Sequence, residues 1–270
     1  MNRSGFRYIA IGLAAAASSI VAGCSDERVD QGRSASADTL RILAYNIHHG
    51  EGMDSVLDLE RIADIIRGVN PDLVALQEID SVTTRTEGVD QAAELGRLTG
   101  LEAVFGGFME YRGGAYGMAL LSRWPVAESE NLRLPDGEEP RTALAALVSS
   151  PTTGRTIRFV GIHLYRTEEE RLAQAMTLGE FLAGDTVPTI LAGDFNSTPE
   201  SRVMALLRSD WSVTPKGEDR LTYSSFEPVR EIDFVLIRPE ERFELIRQWL
   251  LDEPVASDHR PVVVDLVFRD

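Results

Sequence analysis

The stretch ILAGDFNSTPE, residues 190–200, decides how the rest of the chain is interpreted. Three apolar residues and Gly193 lead into Asp194, Phe195 and Asn196, and a Ser-Thr-Pro turn follows. A short apolar run bounded by turn residues predicts a buried strand that ends near Asp194. Since Asn and Asp are common in tight turns, Asp194 and Asn196 are either turn residues or parts of a site.

Strand-like and helix-like patterns alternate from Leu40 to Val267. Short apolar runs predict strands at residues 40–45, 73–76, 118–121, 143–148, 157–162, 189–192, 232–237 and 262–267. Helical spacing of apolar residues predicts helices at residues 58–69, 90–98 and 168–183, the last one capped by Thr167. Several connections have the length of hairpins. The pattern therefore predicts one domain with an α/β sandwich fold rather than a strictly alternating parallel sheet.

Polar residues of a few types recur where these apolar runs stop. They are Asn46, Glu78, His163, Asp194 with Asn196, Asp233, and the triplet Ser257-Asp258-His259. Each Asn or Asp taken singly fits a turn, but Glu and His are poor turn formers. Because several acids and two histidines stand at strand ends, we expect them to meet in one site.

Such a set of side chains suits the attack of water on a phosphoester. Oxygens of Glu78, Asp258 and Asn46 are the ligand types that Mg²⁺ and Mn²⁺ prefer. The single cysteine and the scattered histidines argue against a closed zinc site. A bound cation polarises the phosphoryl oxygen, and a histidine with a carboxylate partner takes a proton from water. Asn196 and a second histidine donate hydrogen bonds to the growing negative charge.

Composition narrows the choice of partner. The chain has 270 residues, 43% of them hydrophobic, and a formal net charge of −16. An acidic surface repels a phosphate backbone, so tight, sequence-independent binding of nucleic acid is disfavoured. A small phosphoester substrate, held by a cation and a few arginines, is compatible with this charge. The charge also has a simpler explanation, which is solubility.

The N-terminal segment has the pattern of an export and anchoring signal. Two arginines precede an apolar stretch at residues 8–21 that is short for a membrane span, and the sequence VAGC ends at Cys24. This resembles the bacterial lipoprotein box and predicts a signal peptide at 1–23, lipidation of Cys24, and a flexible tether at 24–38. The alternative is an ordinary secretory signal that has Cys24 near its cleavage site by chance. We expect an exported monomer, anchored through its lipid to a membrane of the bacterial cell envelope.

Six motifs in chain order resemble those of one known family. AYNIHHG, ALQEID, GIHL, AGDFNSTP, IDFVL and SDHRPVV are similar to the motifs of the endonuclease/exonuclease/phosphatase superfamily, from Leu40 to Val267. The resemblance implies the deoxyribonuclease-I-like fold, a four-layer α/β/β/α sandwich with two central mixed sheets, as a catalytic domain at 39–270. It also implies a metal-dependent phosphoester hydrolase that uses Mg²⁺, with Mn²⁺ or Ca²⁺ as alternatives.

The resemblance further implies roles for the matching positions. Glu78 is similar to the principal metal ligand of the family, with Asn46 and Asp258 beside it. Asp194 is similar to the carboxylate that orients or deprotonates the attacking water, and Asn196 to a ligand of the scissile phosphate.

Two histidines are similar to the acid and the base of the family. His259, with Asp233 fixing its tautomer, resembles the catalytic base or a phosphate-contacting imidazole. His163 resembles the acid or transition-state donor. The sequence leaves open which ring has which role. The neighbouring His48 and His49 are tempting further ligands, but a surface loop is the better interpretation for at least one of them.

A narrower resemblance to secreted bacterial hydrolases points to the substrate mouth. Arg85, Asp90 and Gln91 are candidate lining residues, although the segment that contains Asp90 and Gln91 reads equally well as a capped helix. Arg141 is either a bidentate phosphate donor or a solvated residue at a strand start. Relatives often carry Asn at the position of Met118, and methionine lacks the amide that would make a polar substrate contact there.

Three functions therefore remain open. The first is a divalent-metal phosphoesterase that cleaves a phosphodiester in a lipid headgroup, an inositol phosphate or a nucleotide. The second is an extracellular nuclease of the same fold, and the third is a surface lipoprotein without catalysis.

Overall fold

A computed structural model describes residues 39–151 and 153–269. The strands of this part of the chain are β1 (Thr39–Asn46), β2 (Leu73–Ser81), β3 (Glu102–Tyr111), β4 (Gly114–Ser122), β5 (Val126–Arg133), β6 (Thr142–Ser149), β7 (Thr156–His163), β8 (Thr189–Asp194), β9 (Ser212–Val213), β10 (Asp233–Arg238), β11 (Phe243–Leu250) and β12 (Val262–Phe268). The α-helices are α1 (Leu59–Val69), α2 (Gln91–Thr99), α3 (Glu168–Phe181) and α4 (Arg202–Leu207).

The described strands form two six-stranded mixed sheets. The first has the order β11-β12-β1-β2-β4-β3, and the second has the order β5-β6-β7-β8-β10-β9. The pairs β1–β2 and β7–β8 are parallel, and helices α1 and α3 make the crossover that a parallel connection needs. The carboxyl ends of each parallel pair therefore lie at the same edge of their sheet.

In the described part of the chain, three apolar cores hold four layers together. Side chains of both sheets, such as Ile42 and Phe159, pack against each other in the central core. Helices α1 and α2 cover the outer face of the first sheet through a core that includes Ile62, and α3 and α4 cover the second sheet through one that includes Leu178. Burial of these faces supplies the main driving force for the fold. The predicted four-layer α/β/β/α sandwich is confirmed.

The three helices predicted from apolar spacing are present, and their ends follow from local chemistry. Asp58, Asp90 and Thr167 precede α1, α2 and α3, and each side chain accepts a hydrogen bond from a backbone N–H of the first turn. Asn70 and Gly100 end α1 and α2 in the left-handed conformation, with φ of 53° and 71°. Helix α3 ends at Phe181, two residues before the predicted end.

The strands that the sequence pattern did not predict share one property. β3, β5, β9 and β11 are the four edge strands of the two sheets. An edge strand is open to solvent, so it needs no continuous apolar run; most of β5, for example, is exposed. The short helix α4 was also not predicted, because six residues give too little periodicity.

The predicted signal peptide, lipidation at Cys24 and tether lie outside the described residues and stay predictions. Among residues 39–151 and 153–269, no helix combines the length and the apolar character that a membrane crossing requires.

Candidate active site

Strand pairing brings the predicted residues of the second sheet together. In the parallel pair β7–β8, His163 lies opposite Asp194. In the antiparallel pair β8–β10, Asp194 lies opposite Asp233. Residues opposite each other on neighbouring strands point to the same face of the sheet. Three polar side chains that are distant in sequence thus become neighbours through register alone.

Gly193, the residue before Asp194, allows β8 to pack closely against β7. Its φ of +146° is outside the region that residues with a side chain prefer. A Cβ atom there would lie 2.1 Å from the backbone oxygen of Ile162 on β7. The glycine that precedes Asp194 is therefore a requirement of close backbone packing.

The first sheet contributes Asn46 and Glu78. Asn46 is the last residue of β1, whereas Glu78 does not follow the end of β2 as predicted. It lies inside β2 at a bulge between Gln77 and Ile79, with a φ of +59°. A bulge re-aims a side chain, and here it turns Glu78 into the cleft described below.

Asn46 links the two sheets. Its Nδ2 lies 3.2 Å from Oε1 of Glu78 and 3.3 Å from Oδ2 of Asp194. Its Oδ1 accepts a hydrogen bond from the backbone N–H of His48 at 3.1 Å. The amide thus fixes Glu78 relative to Asp194, and binding of a cation by its oxygen stays a prediction.

Asp194 is the point on which the polar groups converge. Its carboxylate is 2% exposed, and Oδ1 accepts the backbone N–H of Asn196 at 2.8 Å. Its Oδ2 faces Nε2 of His163 at 3.5 Å and Nε2 of His259 at 3.7 Å. Burial and the nearby carboxylate of Asp233 raise the pKa of Asp194 to about 7.

Asp233 orients His259. Nδ1 of His259 lies 2.9 Å and 3.1 Å from the two carboxylate oxygens of Asp233, both in buried surroundings. A carboxylate only accepts, so Nδ1 carries a proton, and Nε2 points toward Asp194. Burial opposes the charged ring, but the carboxylates of Asp233, Asp194 and Asp258 outweigh it and raise the pKa of His259 to about 10.

His163 has the opposite electrostatic environment. The ring is 4% exposed, and its Nδ1 has no hydrogen-bond partner in the described part of the chain. Burial, together with the positive charges of Arg141 and His259, lowers the pKa of His163 well below its ordinary value. The two imidazoles therefore favour opposite charge states within a few ångströms of Asp194.

Asn196 stands beside them with a φ of +48°, a conformation that Asn tolerates. Its Nδ2 donates to the backbone oxygen of Leu164 at 2.9 Å, which leaves a second amide hydrogen for a ligand. The side chain lines the cleft.

A cleft of about 930 Å³ opens over these residues, and both Glu78 and Asp258 line it. Within residues 39–151 and 153–269, no Lys or Arg nitrogen lies within 4.0 Å of either carboxylate. Two such carboxylates at one cavity suit a divalent cation, and oxygen is the donor that Mg²⁺ prefers. The residues therefore fit the metal that the family implies.

Two predicted substrate residues, Arg85 and Arg141, also line the cleft. Arg85 forms a bidentate ion pair with the buried Asp80, at 2.6 and 2.8 Å. Both guanidinium groups stack on the ring of Tyr116, at 5.4 and 5.8 Å from its centroid. Arg141 is 5% exposed, pairs with Glu139, and keeps a buried Nε without a partner in the described structure.

Gln91 does not reach the cleft, and its prediction as a substrate-binding residue is wrong. It is fully buried; its Oε1 accepts the N–H of Asp80 at 2.8 Å, and its Nε2 donates to the backbone oxygen of His49 at 2.7 Å. Asp90 caps α2, as the alternative interpretation stated. Met118 is fully buried in the central core and does not line the cleft.

His48 and His49 form a short 3-10 turn with Gly50, directly after β1. His48 is half-buried, whereas His49 is 8% exposed. Burial, with the neighbouring Arg85 guanidinium, lowers the pKa of His49 to about 4. His48 is the more exposed of the two rings, and neither ring is fully exposed.

Sequence reasoning missed several other side chains that line the cleft. They are Tyr165, Arg166, Arg171, Tyr223 and Arg230. Tyr165 and Arg166 directly follow the GIHL motif, and this position next to a motif could have identified them as residues of the site. Tyr223 packs 4.9 Å from the ring of His259, and Arg230 stacks on Tyr223 at 4.5 Å. No motif marks these two residues, because the loop that holds them has no regular pattern.

A four-layer sandwich that gathers acids and histidines at one edge of two sheets defines the class of phosphoester hydrolases with a deoxyribonuclease-I-like fold. Residues 43–259 match the model of the Endonuclease/Exonuclease/phosphatase family. The chain belongs to this family.

The chain is also similar to individual proteins. It is 30% identical over 169 residues to the uncharacterized protein YbhP of Escherichia coli K12, covering 58% of this chain and 67% of YbhP. An endonuclease/exonuclease/phosphatase structure from Bacteroides vulgatus has a TM-score of 0.73 at 19% identity, covering 86% of this chain and 99% of the other. The mannosyl-6-phosphatase Bt3783 of Bacteroides thetaiotaomicron has a TM-score of 0.68 at 19% identity, covering 85% and 100%. Both structures show the fold.

Proposed function

We propose that this protein is a divalent-metal-dependent hydrolase of a phosphodiester such as a lipid headgroup, an inositol phosphate or a nucleotide. One observation carries the proposal: Oδ2 of Asp194 lies within 3.7 Å of Asn46 Nδ2, His163 Nε2 and His259 Nε2. Three groups, from the ends of β1 and β7 and from the segment before β12, converge on one carboxylate oxygen beside an open cleft. Family membership supports the reaction class.

Each side chain has a task in this proposal. Asp194 orients the attacking water and accepts its proton, since its raised pKa suits a base near neutral pH. His259, which Asp233 holds with Nε2 toward Asp194, donates a hydrogen bond to a phosphoryl oxygen. His163 and Asn196 donate to the remaining oxygens or to the leaving group.

Glu78 and Asp258 would hold the cation, and the Asn46 amide fixes the Glu78 carboxylate through a hydrogen bond to Oε1. When bound, a divalent cation neutralises charge on the phosphoryl group and stabilises the leaving oxygen. Its identity is proposed as Mg²⁺, with Mn²⁺ or Ca²⁺ as alternatives, because hard oxygen ligands suit all three.

Arginines support a small anionic substrate. Five of them line the cleft of a chain with net charge −16: Arg85, Arg141, Arg166, Arg171 and Arg230. A guanidinium binds phosphate oxygens with two parallel hydrogen bonds. A structurally similar protein is a mannosyl-6-phosphatase, so a phosphomonoester is the substrate to test beside the phosphodiester.

An extracellular nuclease is the second candidate function, and the acidic balance argues against it. A nuclease without a basic stripe loses most of its non-specific affinity for DNA. An assay of plasmid nicking at low salt with Mg²⁺ or Ca²⁺ distinguishes the nuclease from a hydrolase of small phosphoesters. Nicking as efficient as the hydrolysis of small phosphoesters would favour the nuclease.

The main experiment measures hydrolysis of bis-(p-nitrophenyl) phosphate and p-nitrophenyl phosphate by the purified protein with Mg²⁺. We expect EDTA to abolish hydrolysis, and Glu78→Gln and Asp194→Asn to lower kcat by about 10²-fold or more. Glu128→Gln is the matched control, because Glu128 is an exposed acid on the edge strand β5. Hydrolysis that survives EDTA or Glu78→Gln would contradict the proposal, and absence of metal binding in calorimetry would favour the non-catalytic lipoprotein.

We further propose that the protein is a monomer, exported and anchored through a lipid on Cys24. The support is the VAGC sequence after an apolar stretch. Mass spectrometry of the protein from membranes should find the lipid on Cys24 and none in Cys24→Ser. Recovery of both proteins in the soluble fraction would contradict anchoring.

A further inference from the structure

Three residues beside the cleft share an unusual backbone conformation. His48, His49 and Glu78 have φ of +47°, +45° and +59°, in the left-handed region that residues with a side chain rarely adopt. Such conformations persist where the surroundings enforce them, and they concentrate at functional sites. Here the side chains of Asn46 and Gln91 hold the turn, by accepting the N–H of His48 and donating to the oxygen of His49.

The side chains of these three residues meet. One ligand atom from each of His48, His49 and Glu78 lies within 4.8 Å of those of the other two. No part of the phosphoester chemistry proposed above uses either imidazole. The pair therefore needs an explanation of its own.

The hydrogen bonds of the two rings leave nitrogen lone pairs for a ligand. Nδ1 of His48 lies 3.0 Å from the backbone oxygen of Glu51. A carbonyl only accepts, so Nδ1 carries the proton and Nε2 has a free lone pair. A ring that donates its other N–H to a carbonyl is the usual arrangement of a metal-binding histidine.

His49 completes the donor set. Its Nε2 lies 3.5 Å from Oε2 of Glu51, while its Nδ1 is buried and has no hydrogen-bond partner in the described structure. A buried polar atom is normally satisfied by a protein group, water or ligand. The positive charge of the nearby Arg85 is offset in part by its bidentate pair with Asp80.

We propose that His48, His49 and Glu78 form a second cation site, for a divalent transition-metal ion such as Zn²⁺ or Co²⁺. Two imidazoles and one carboxylate are a donor set typical of such ions, whereas Mg²⁺ prefers oxygen ligands. Glu78 has two carboxylate oxygens, so it can serve both this site and the Mg²⁺ expected at Asp258. This site goes beyond the proposed hydrolysis and does not depend on it.

Co²⁺ is the probe, because its visible absorption is strong in four- or five-coordinate sites with nitrogen ligands and weak in six-coordinate oxygen sites. The full-length protein, stripped of metal and kept in excess Mg²⁺, is titrated with Co²⁺. We expect one equivalent to produce the strong band. His48→Gln should weaken this binding by at least about tenfold, since even indirect partners of a metal contribute roughly 10–100-fold. Asp258→Asn is the matched control and should keep the band.

A second measurement covers the case in which a histidine variant fails to fold. In the wild-type protein with Co²⁺, proton NMR should show strongly shifted ring N–H signals from two histidines. The proposal is overturned if Mg²⁺ suppresses the band, if folded His48→Gln keeps it, if Asp258→Asn removes it, or if no shifted histidine signals appear. Each result is independent of whether any phosphoester is hydrolysed.

Discussion

The replacement of Asp233 by asparagine tests how far the buried pair with His259 controls the site. The change keeps the shape of the side chain and removes its charge. The carboxylate of Asp233 is 2% exposed and accepts the Nδ1–H of His259 at 2.9 Å. An asparagine that turns its NH₂ toward Nδ1 would force the proton of the ring onto Nε2.

The magnitude follows from the single hydrogen bond that is lost. A hydrogen bond to a charged group contributes about 1.5–3 kcal/mol. Since each 1.36 kcal/mol corresponds to a factor of ten in rate, we expect kcat/KM to fall by about 10- to 150-fold. Loss of the Asp233 charge would add to this loss, because Asp233 is the main group that raises the pKa of His259, and a neutral ring is a weaker hydrogen-bond donor to the phosphoryl oxygen than a charged one.

The assay measures kcat and KM for bis-(p-nitrophenyl) phosphate, with nitrogen-detected NMR of the histidine rings in parallel. The loss should fall on kcat, because the arginines that we propose to bind the substrate are untouched. NMR should show the proton on Nδ1 of His259 in the wild type and a lower titration midpoint in Asp233→Asn. A folded variant with kcat/KM within threefold of the wild type (a threshold of about 0.6 kcal/mol) would refute the reasoning.

The remaining predictions concern Arg141 at the cleft, the buried ion pair of Asp265 with Arg41, and Gly193. Arg141→Ala should raise KM by about tenfold or more while Arg112→Ala, an exposed control, leaves it unchanged; equal effects would contradict a substrate contact. Asp265→Asn should lower the free energy of unfolding by about 3 kcal/mol at pH 7, because the buried carboxylate pairs with Arg41. Burial opposes the charge on Asp265, but Arg41 and Arg247 lower its pKa below the ordinary 3.8. The stabilisation by the ion pair is therefore full above pH 3.8, and it is lost as the pH falls through the pKa of Asp265 in the folded state. If the wild type and Asp265→Asn still differ by the same free energy of unfolding below that pKa, the explanation is wrong. Gly193→Ala should destabilise by about 3 kcal/mol or more, and a thermal midpoint within about 2 °C of the wild type would show that the strands can separate without cost.

The central strands and the polar residues at their ends were predictable from sequence, because a buried strand needs a continuous apolar run. The runs before Asn46, His163 and Asp194 end one or two residues before β1, β7 and β8 end. The edge strands had no such signal, since one side of each faces solvent.

The details of the site were harder to predict, because they depend on contacts between distant segments. The orientation of Glu78 is set by a β-bulge, and no characteristic amino-acid composition marks a bulge in the sequence. Gln91 stands near Arg85 in sequence, but burial directs it to the backbone of His49 instead of the cleft. Tyr223 and Arg230 reach the cleft from an irregular loop, for which apolar periodicity gives no information.

The division of the site between two sheets has a mechanical consequence. Glu78 belongs to one sheet and Asp194 to the other, so the spacing of the proposed cation and the attacking water is set by how the sheets are stacked. That stacking is tight: a methyl group on Gly161 of β7 would lie 2.9 Å from Leu120 of β4. A displacement of about 1 Å between reacting groups can cost a factor of 10² in rate. Sliding of one sheet over the other is therefore the motion that would disable turnover while leaving every polar residue in place.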